Sequence, residues 1–590
     1  MRRVTLDFET YYDDKYSLAK LPTLEYVRDE RFLVQLVAVK FDDEPAYWIH
    51  ATAVDAFLRG LPDDIELVCH NTYFDGLILF HHYSYVPRIY RDTLSMARGL
   101  LPHAPEHNLD YLCKLLNIGE KTPEVLGLTK GHRVLSPELI AQLGGYAVND
   151  VELTAALYER LEPGLPEDEL QLIDLTMRWG CRPVLHVDTA RAGKALTAAI
   201  EARNAKIAAS GTTLAVLGSQ LKFTQHLETL GIDVPLKKNK KGLLIPALSK
   251  DDLGFRQMVA NNPEHNALFQ GRLAAKSTLD VTRIKRVLDI GLRGTLPMPL
   301  KYYGAHTGRW SGADGLNPQN FRRGSELRKS IIAPPGWVIL VADSKQIEVR
   351  LNMWFCGQQD WVEVFRSGID VYTALAAEHF QVPLEQITES QRFFGKTLEL
   401  GLGYQMGWQK FRTVCALRGI FLTEMEAYNT VSNYRSSHDR VVNKWTELSN
   451  HRIGMYQPGY EAQDGPVTYI YEGIRLPNGM QLDYTGLTPN ENGDWYYGLV
   501  PKRTKIYGGK MLENLIQALG RIALGEYLLK IEKESITTVS STHDEPLMIV
   551  REKDAEAAQE TVRQIMLTPP AWAPDLPLGV DIGYAREYSK

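Results

Sequence analysis

Residues 4–9 alternate between apolar and polar side chains, with Val4, Leu6 and Phe8 set against Thr5, Asp7 and Glu9, a period of two that predicts a half-buried strand. Residues 33–49 are rich in valine, leucine and aromatics, and 65–70 form a short apolar run that stops at Asn71, so both predict further strands. Helical spacing takes over at 145–161, and Glu-Pro-Gly-Leu-Pro then breaks it. An α/β unit ending near residue 162 is expected. From about 166 to 300 the pattern is mostly helical, clearest at 188–209 and at 269–292, with a Lys-rich turn at 237–242 between them. Beyond 330 the character is mixed. A strand is predicted over 337–342, a helix over 391–404, and strand–turn–strand over 466–500 with Asn478-Gly479 and Asn492-Gly493 as turns. A helix is predicted over 508–533, and two strands over 536–550 flank His543-Asp544-Glu545. The whole reads as an α/β multidomain chain.

At 590 residues the chain is too long for one core, and its 44% hydrophobic and 23% charged content is that of an ordinary globular protein. No apolar run is long enough for a membrane span, and acidic residues precede any apolar run of signal-peptide length. Five scattered cysteines without a CxxC pair point to a reduced, cytoplasmic compartment. The formal net charge of −6 does not advertise a polyanion binder, but basic clusters stand at Lys237, Lys238, Lys240 and Lys241, at Arg322, Arg323, Arg328 and Lys329, and at Lys502, Arg503, Lys505 and Lys510. Each of these also suits a solvated loop.

Two sets of acids carry the candidate chemistry. Asp7 and Glu9, two apart in a strand, share a face. Asp75 follows the strand at 65–70, and Tyr146 and Asp150, four apart on a helix, share a face too. Converging at one end of a sheet, these four carboxylates and one phenol could hold two divalent cations around a scissile phosphate. In the second set an apolar strand delivers Asp343, and Asp544-Glu545 occupy a hairpin tip, a poor place for two acids unless cations compensate. Between them Arg392, Lys396, Leu400 and Tyr404 recur every four residues along one helix face, an order that suits a nucleoside triphosphate and also suits a plain basic stripe.

The order Asp-Phe-Glu-Thr at Asp7, Asn-x-x-Phe-Asp at Asp75 and Tyr-x-x-x-Asp at Asp150 resembles the DEDD exonucleases of tyrosine subtype over about residues 1–162, with Asp92-Thr93 and the segment at 109–116 in keeping. From about 166 onward the chain resembles family A DNA polymerases, the class of bacterial DNA polymerase I. Asp343-Ser-Lys-Gln-Ile-Glu348-Val-Arg350 resembles motif A, Arg392 through Tyr404 motif B, and His543-Asp544-Glu545 motif C. Thr307-Gly-Arg309-Trp-Ser with Asn317-Pro-Gln319-Asn320 resembles the primer–template segment, and Arg272-x-x-x-Lys276-Ser-Thr the thumb signature.

The resemblance implies a ribonuclease-H-like exonuclease domain (1–162) followed by a right-hand polymerase. Its thumb is expected at 166–300, its palm at 301–350 and 530–590, and its fingers with associated palm segments at 351–529. It implies template-directed extension of a primer by dNTPs, with 3′→5′ proofreading, in a replicative, phage-type monomer working in the host cytoplasm. Two Mg²⁺ per centre are implied, with Mn²⁺ as a substitute, on Asp7, Glu9, Asp75 and Asp150 and on Asp343 and Asp544. Tyr146 is expected to hold the attacking water and Glu545 to support the second centre. Arg392, Lys396, Leu400, Tyr404, Glu348 and Tyr372 are expected at the dNTP. Arg309, Gln319, Asn320, Arg272, Lys276 and Arg350 are expected at DNA. Leu400 and Tyr372 depart from the family pattern, which more often has an aromatic and a histidine there. A nuclease whose C-terminal region only binds nucleic acid is the alternative.

Overall fold

The computed structural model describes residues 1–122, 125–239 and 242–589. The N-terminal sheet has five strands in the order Tyr47–His50, Val34–Phe41, Arg2–Thr10, Ile65–Cys69 and Ile89–Asp92. The first three pair antiparallel and the last two join in parallel. In this register Asp7 faces Ala38 and Glu9 faces Leu36. Directly paired residues share a face, and Leu36 and Ala38 pack against Leu143, Tyr146, Ala147 and Val151 of the helix Pro137–Leu161. The acids of the first strand therefore look toward the helix that carries Tyr146 and Asp150. Leu6, Phe8, Val37 and Val39 fill the opposite face.

A second sheet, wholly antiparallel, runs Thr537–Thr542, Glu545–Arg551, Trp337–Ser344, Val580–Ala585. Helices Gly508–Lys533 and Ala555–Leu567 cover one face through Ala523, Tyr527, Ile531, Ala558 and Val562. The predicted helices at 188–209 and 508–533 form as Thr189–Ala209 and Gly508–Lys533. The run expected at 269–292 is instead two helices, Asn266–Lys276 and Leu279–Leu292, parted at Ser277–Thr278, where Ser277 is extended. The Lys-rich turn joins a small hairpin, Leu236–Lys238 with Leu244–Pro246. Lys237 there pairs with Asp252 at 2.6 Å, while Lys240 and Lys241 lie outside the described residues.

The break in helical pattern near 162 is real locally, a short turn at Glu162–Gly164, but does not separate the packing. Helix Glu167–Cys181, expected with the helical segment after 166, lies against the edge strand Ile89–Asp92 on one side and against Gly508–Lys533 and Thr537–Thr542 on the other. One apolar core accordingly holds Val68, Leu112 and Leu157 together with Leu175, Trp179, Trp310 and Leu528.

Candidate active sites

At the first centre, carboxylate oxygens of Asp7, Glu9 and Asp150 all lie within 4.8 Å of one another. Asp75 comes from the first turn of helix Thr72–Tyr83 and accepts the backbone N–H of Phe8 at 3.1 Å, which ties its helix to the strand between the two acids. The start of that helix is held by Asp92, which accepts the N–H groups of Asn71 and Thr72, each at 2.9 Å. Asn71 adopts φ 71°, the left-handed turn that brings the helix off the strand end. Burial, and then the Asp150 charge, lift Asp7 to about 7, against the pull of Lys121. Burial, with neighbouring carboxylates, also raises Glu9 and Asp75 well above the usual range. Crowded acids with so little positive charge among them suit divalent cations. The Oδ1 of Asp150, buried and without a hydrogen-bond partner, is a free ligand atom for one.

Lys121 is a site residue that pattern reading missed. Its Nζ lies 2.5 Å from Asp150 Oδ2 and donates to the Tyr146 hydroxyl at 3.1 Å. Burial alone would lower the ammonium's pKa, but Asp150 and Tyr146 more than reverse this and leave it raised. Lys121 reaches the site from a loop, where no periodicity marks it.

The second centre stands on the antiparallel sheet. Asp343 is the penultimate residue of Trp337–Ser344, and Asp544 sits in the tight turn before Glu545–Arg551, next to His543 at φ 57°. The Ser344 N–H donates to the Asp544 carbonyl at 3.2 Å and joins the two elements. Burial, then the Asp343 charge, push Asp544 up to about 7, the same electrostatic demand for cations as at the first centre. Beside it a cleft of about 410 Å³ is lined by Arg309, Gln319, Gln346, Glu348, Tyr372, Lys396, Leu400, His543 and Asp544, among others. Arg309 is ion-paired with Glu348.

The basic face belongs to helix Glu389–Leu402, which a capping box between Thr388 and Gln391 starts firmly. Gly395 lets it pack directly on the backbone of helix Val371–Phe380, since a methyl group there would overlap the Tyr372 carbonyl oxygen. Lys396 and Leu400 reach the cleft. Arg392 makes a two-bond pair with Asp370, at 2.9 and 3.0 Å, and is not among the cleft-lining residues.

Three expected site residues are held by contacts within the protein. The helix ends at Leu402, so Tyr404 leaves the basic face and packs half-buried against the neighbouring apolar core, outside the cleft lining. Arg272 is buried, its guanidinium donating to the Leu217 carbonyl and lying 5.0 Å over the Phe223 ring. Arg350 is buried too, donating to the carbonyls of Lys345 at 2.8 Å and Pro577 at 3.2 Å. Both arginines brace backbone here, and Arg272 also lines a cleft of about 370 Å³ together with Lys237, Lys250 and Lys276. Asn320 is exposed beside the cleft, and Lys276 is exposed at its helix end.

An acid trio on a ribonuclease-H-like sheet, joined to an acid pair on an antiparallel sheet beneath a basic helix, defines a polymerase coupled to a nuclease. Residues 4–166 match the family model for 3′-5′ exonuclease, and residues 191–453 match that for DNA polymerase family A. The DNA polymerase of Bacillus phage SP02 is 26% identical, the match covering 100% of each chain. DNA polymerase I of Pseudomonas aeruginosa is 28% identical over 48% of this chain and 29% of its own. A solved structure, the POL domain of Pol1 from M. smegmatis in complex with DNA primer-template and dNTP, superposes with a TM-score of 0.68 at 17% identity, over 100% of this chain and 96% of that one. The chain belongs to DNA polymerase family A and carries a 3′→5′ exonuclease domain ahead of its polymerase domain.

Proposed function

We propose that the two acid centres divide the enzyme's chemistry, extension at Asp343 and Asp544 and proofreading at Asp7, Glu9, Asp75 and Asp150. The observation that carries this is their separation: each cluster is assembled by its own sheet and none of its acids is shared. Mg²⁺ or Mn²⁺, two per centre, supplies the charge that activates the attacking oxygen and stabilises the leaving one. At the polymerase centre Lys396 and Tyr372 face the triphosphate of a dNTP, Leu400 its sugar and base, and Glu348 the sugar. Glu545 holds the surrounding charges in place. Arg392 serves the phosphates once it exchanges Asp370 for them, a swap between two anionic partners of the same guanidinium. Arg309, Gln319 and Asn320 line the path of primer–template, with Lys276 on the thumb. At the nuclease centre the Tyr146 hydroxyl, held by Lys121, orients water toward the scissile phosphate. Positioning and electrostatics carry both reactions.

In this reading the exonuclease domain spans 1–162, the thumb 166–300, the palm 301–350 and 530–590, and the fingers with associated palm segments 351–529. Helix Glu167–Cys181, at the start of the thumb segment, packs against both sheets. Among the described residues no helix is long and apolar enough to cross a membrane. The phage relative supports work in the host cytoplasm.

The test is a primer assay that reads extension and resection together. Asp343→Ala with Asp544→Ala should lose extension and keep resection, and Asp7→Ala with Glu9→Ala should do the reverse. Extension at the parental rate by the first double variant overturns the assignment.

A further inference from the structure

Of the basic cluster at 322–329, two arginines converge on the polymerase centre, and they do so differently. Arg328 Nη2 donates to Glu545 Oε1 at 2.7 Å, its guanidinium lies 3.7 Å over the Tyr588 ring, and only 3% of its side chain is exposed. The Tyr588 hydroxyl donates to the same oxygen at 2.7 Å. This pair is a fixed buttress. Arg323 comes from the short loop before helix Glu326–Lys329, turned by Gly324 at φ 73°. Its Nη2 reaches Asp343 Oδ2 at 2.5 Å and Glu545 Oε2 at 2.8 Å, yet 54% of its side chain is exposed. It is therefore a cation seated on an acid that the reading above gives to metal, held there by charged hydrogen bonds from a single nitrogen on a side chain open to solvent.

We propose that Arg323 is a displaceable counter-ion that couples metal binding to primer–template binding. In the protein alone its guanidinium neutralises Asp343 and Glu545 and competes with a divalent cation for the Asp343 oxygen. Only two residues separate it from Asn320, and three from Gln319, the candidate primer–template contacts. DNA that engages this segment moves the loop and offers the guanidinium a phosphate, a tetrahedral anion whose paired oxygens its planar fork binds as well as those of a carboxylate. Asp343 is then released to metal. The coupling is reciprocal, so metal must strengthen DNA binding by the same factor. Arg323 is thus a positioning residue that acts through Asp343. The inference rests on the assignment of Asp343 and Asp544 as metal ligands.

The test measures Mn²⁺ binding by the loss of the free-ion EPR signal, on the full chain carrying Asp7→Ala and Glu9→Ala. It is run with and without a primer–template whose primer ends in a dideoxynucleotide. With Arg323 present, DNA should tighten Mn²⁺ binding roughly tenfold, the worth of one charged hydrogen bond. Arg323→Gln should bind Mn²⁺ about that much more tightly without DNA, and the DNA increment should shrink toward one. Arg323→Lys, which keeps the charge but loses the fork, should fall between. An unchanged or weakened DNA-free affinity in Arg323→Gln overturns the proposal. Adding Asp343→Ala and Asp544→Ala separates the two levels. If the Mn²⁺ binding that responds to DNA survives those changes, the metal assignment itself fails; if it is lost while Arg323→Gln behaves as the parent, only the coupling fails.

Discussion

Glu399 lies on the buried side of the helix that presents Lys396 and Leu400, with about 1% of its surface exposed. It accepts a hydrogen bond from the Tyr434 hydroxyl at 3.0 Å, and His438 Nε2 stands 3.9 Å away. Burial raises its pKa from 4.5 to about 7 despite the Tyr434 hydrogen bond, and burial lowers His438 to about 4, so no cation compensates at neutral pH. The native state therefore binds more protons than the unfolded chain between pH 4.5 and 7. By linkage, stability falls as pH rises through that window, and is fully diminished above it. Between pH 5 and pH 8 the loss attributable to this carboxyl is about 2–3 kcal/mol. Glu399→Gln keeps an acceptor for Tyr434 and removes the ionisation. Relative to the parent, the variant should gain about that amount at pH 8 over its effect at pH 5, measured by denaturant unfolding at the two pH values. An equal difference from the parent at both pH values would refute the reasoning.

Further outcomes follow from other contacts. Lys121→Met should slow resection by about 10- to 100-fold, as loss of a group that orients metal ligands does, while extension stays at the parental rate and Lys121→Arg restores part of the loss; a labelled-primer resection assay reads this. Glu169 and Arg521 form a buried two-bond pair at 2.5 and 2.7 Å that joins helix Glu167–Cys181 to Gly508–Lys533. Glu169→Ala strands the guanidinium and should cost about 3–5 kcal/mol in denaturant unfolding. Gly395→Ala forces two helix backbones apart and should cost about 1–3 kcal/mol, with a raised KM for dNTPs in steady-state extension because Tyr372 and Lys396 no longer face each other across that contact.

The parts legible in the sequence were those set by local period. Asp7 and Glu9 share a face because strands repeat every two residues, and Tyr146 and Asp150 because helices nearly repeat every four. Asp343 could be placed because an apolar strand ends at it. What was not legible depends on tertiary contact. Arg323 and Arg328 are the same residue type in one cluster, and only the folded position of Tyr588 and Glu545 makes one a buttress and the other a loose partner. Tyr404 kept the four-residue spacing, but the helix beneath it had already stopped, with Gly401 in its last turn and Gly403 just past its end. Arg272 and Arg350 carried family motifs whose side chains turn inward onto backbone carbonyls, and Lys121 belongs to no local pattern at all.

Helix Glu167–Cys181 has a consequence for how errors are removed. It is wedged between the two sheets, with Trp179 donating to Thr538 at 3.1 Å on one side and the sulfur of Cys181 against the Thr72 and Tyr73 carbonyls on the other. The two centres thus share one packed helix as a common girder. On a girder that keeps the two centres at one spacing, a faulty primer end has to make the journey itself, as a frayed single strand. The fidelity of this enzyme is then a race between strand melting and the next addition, with the length of the track built into the protein.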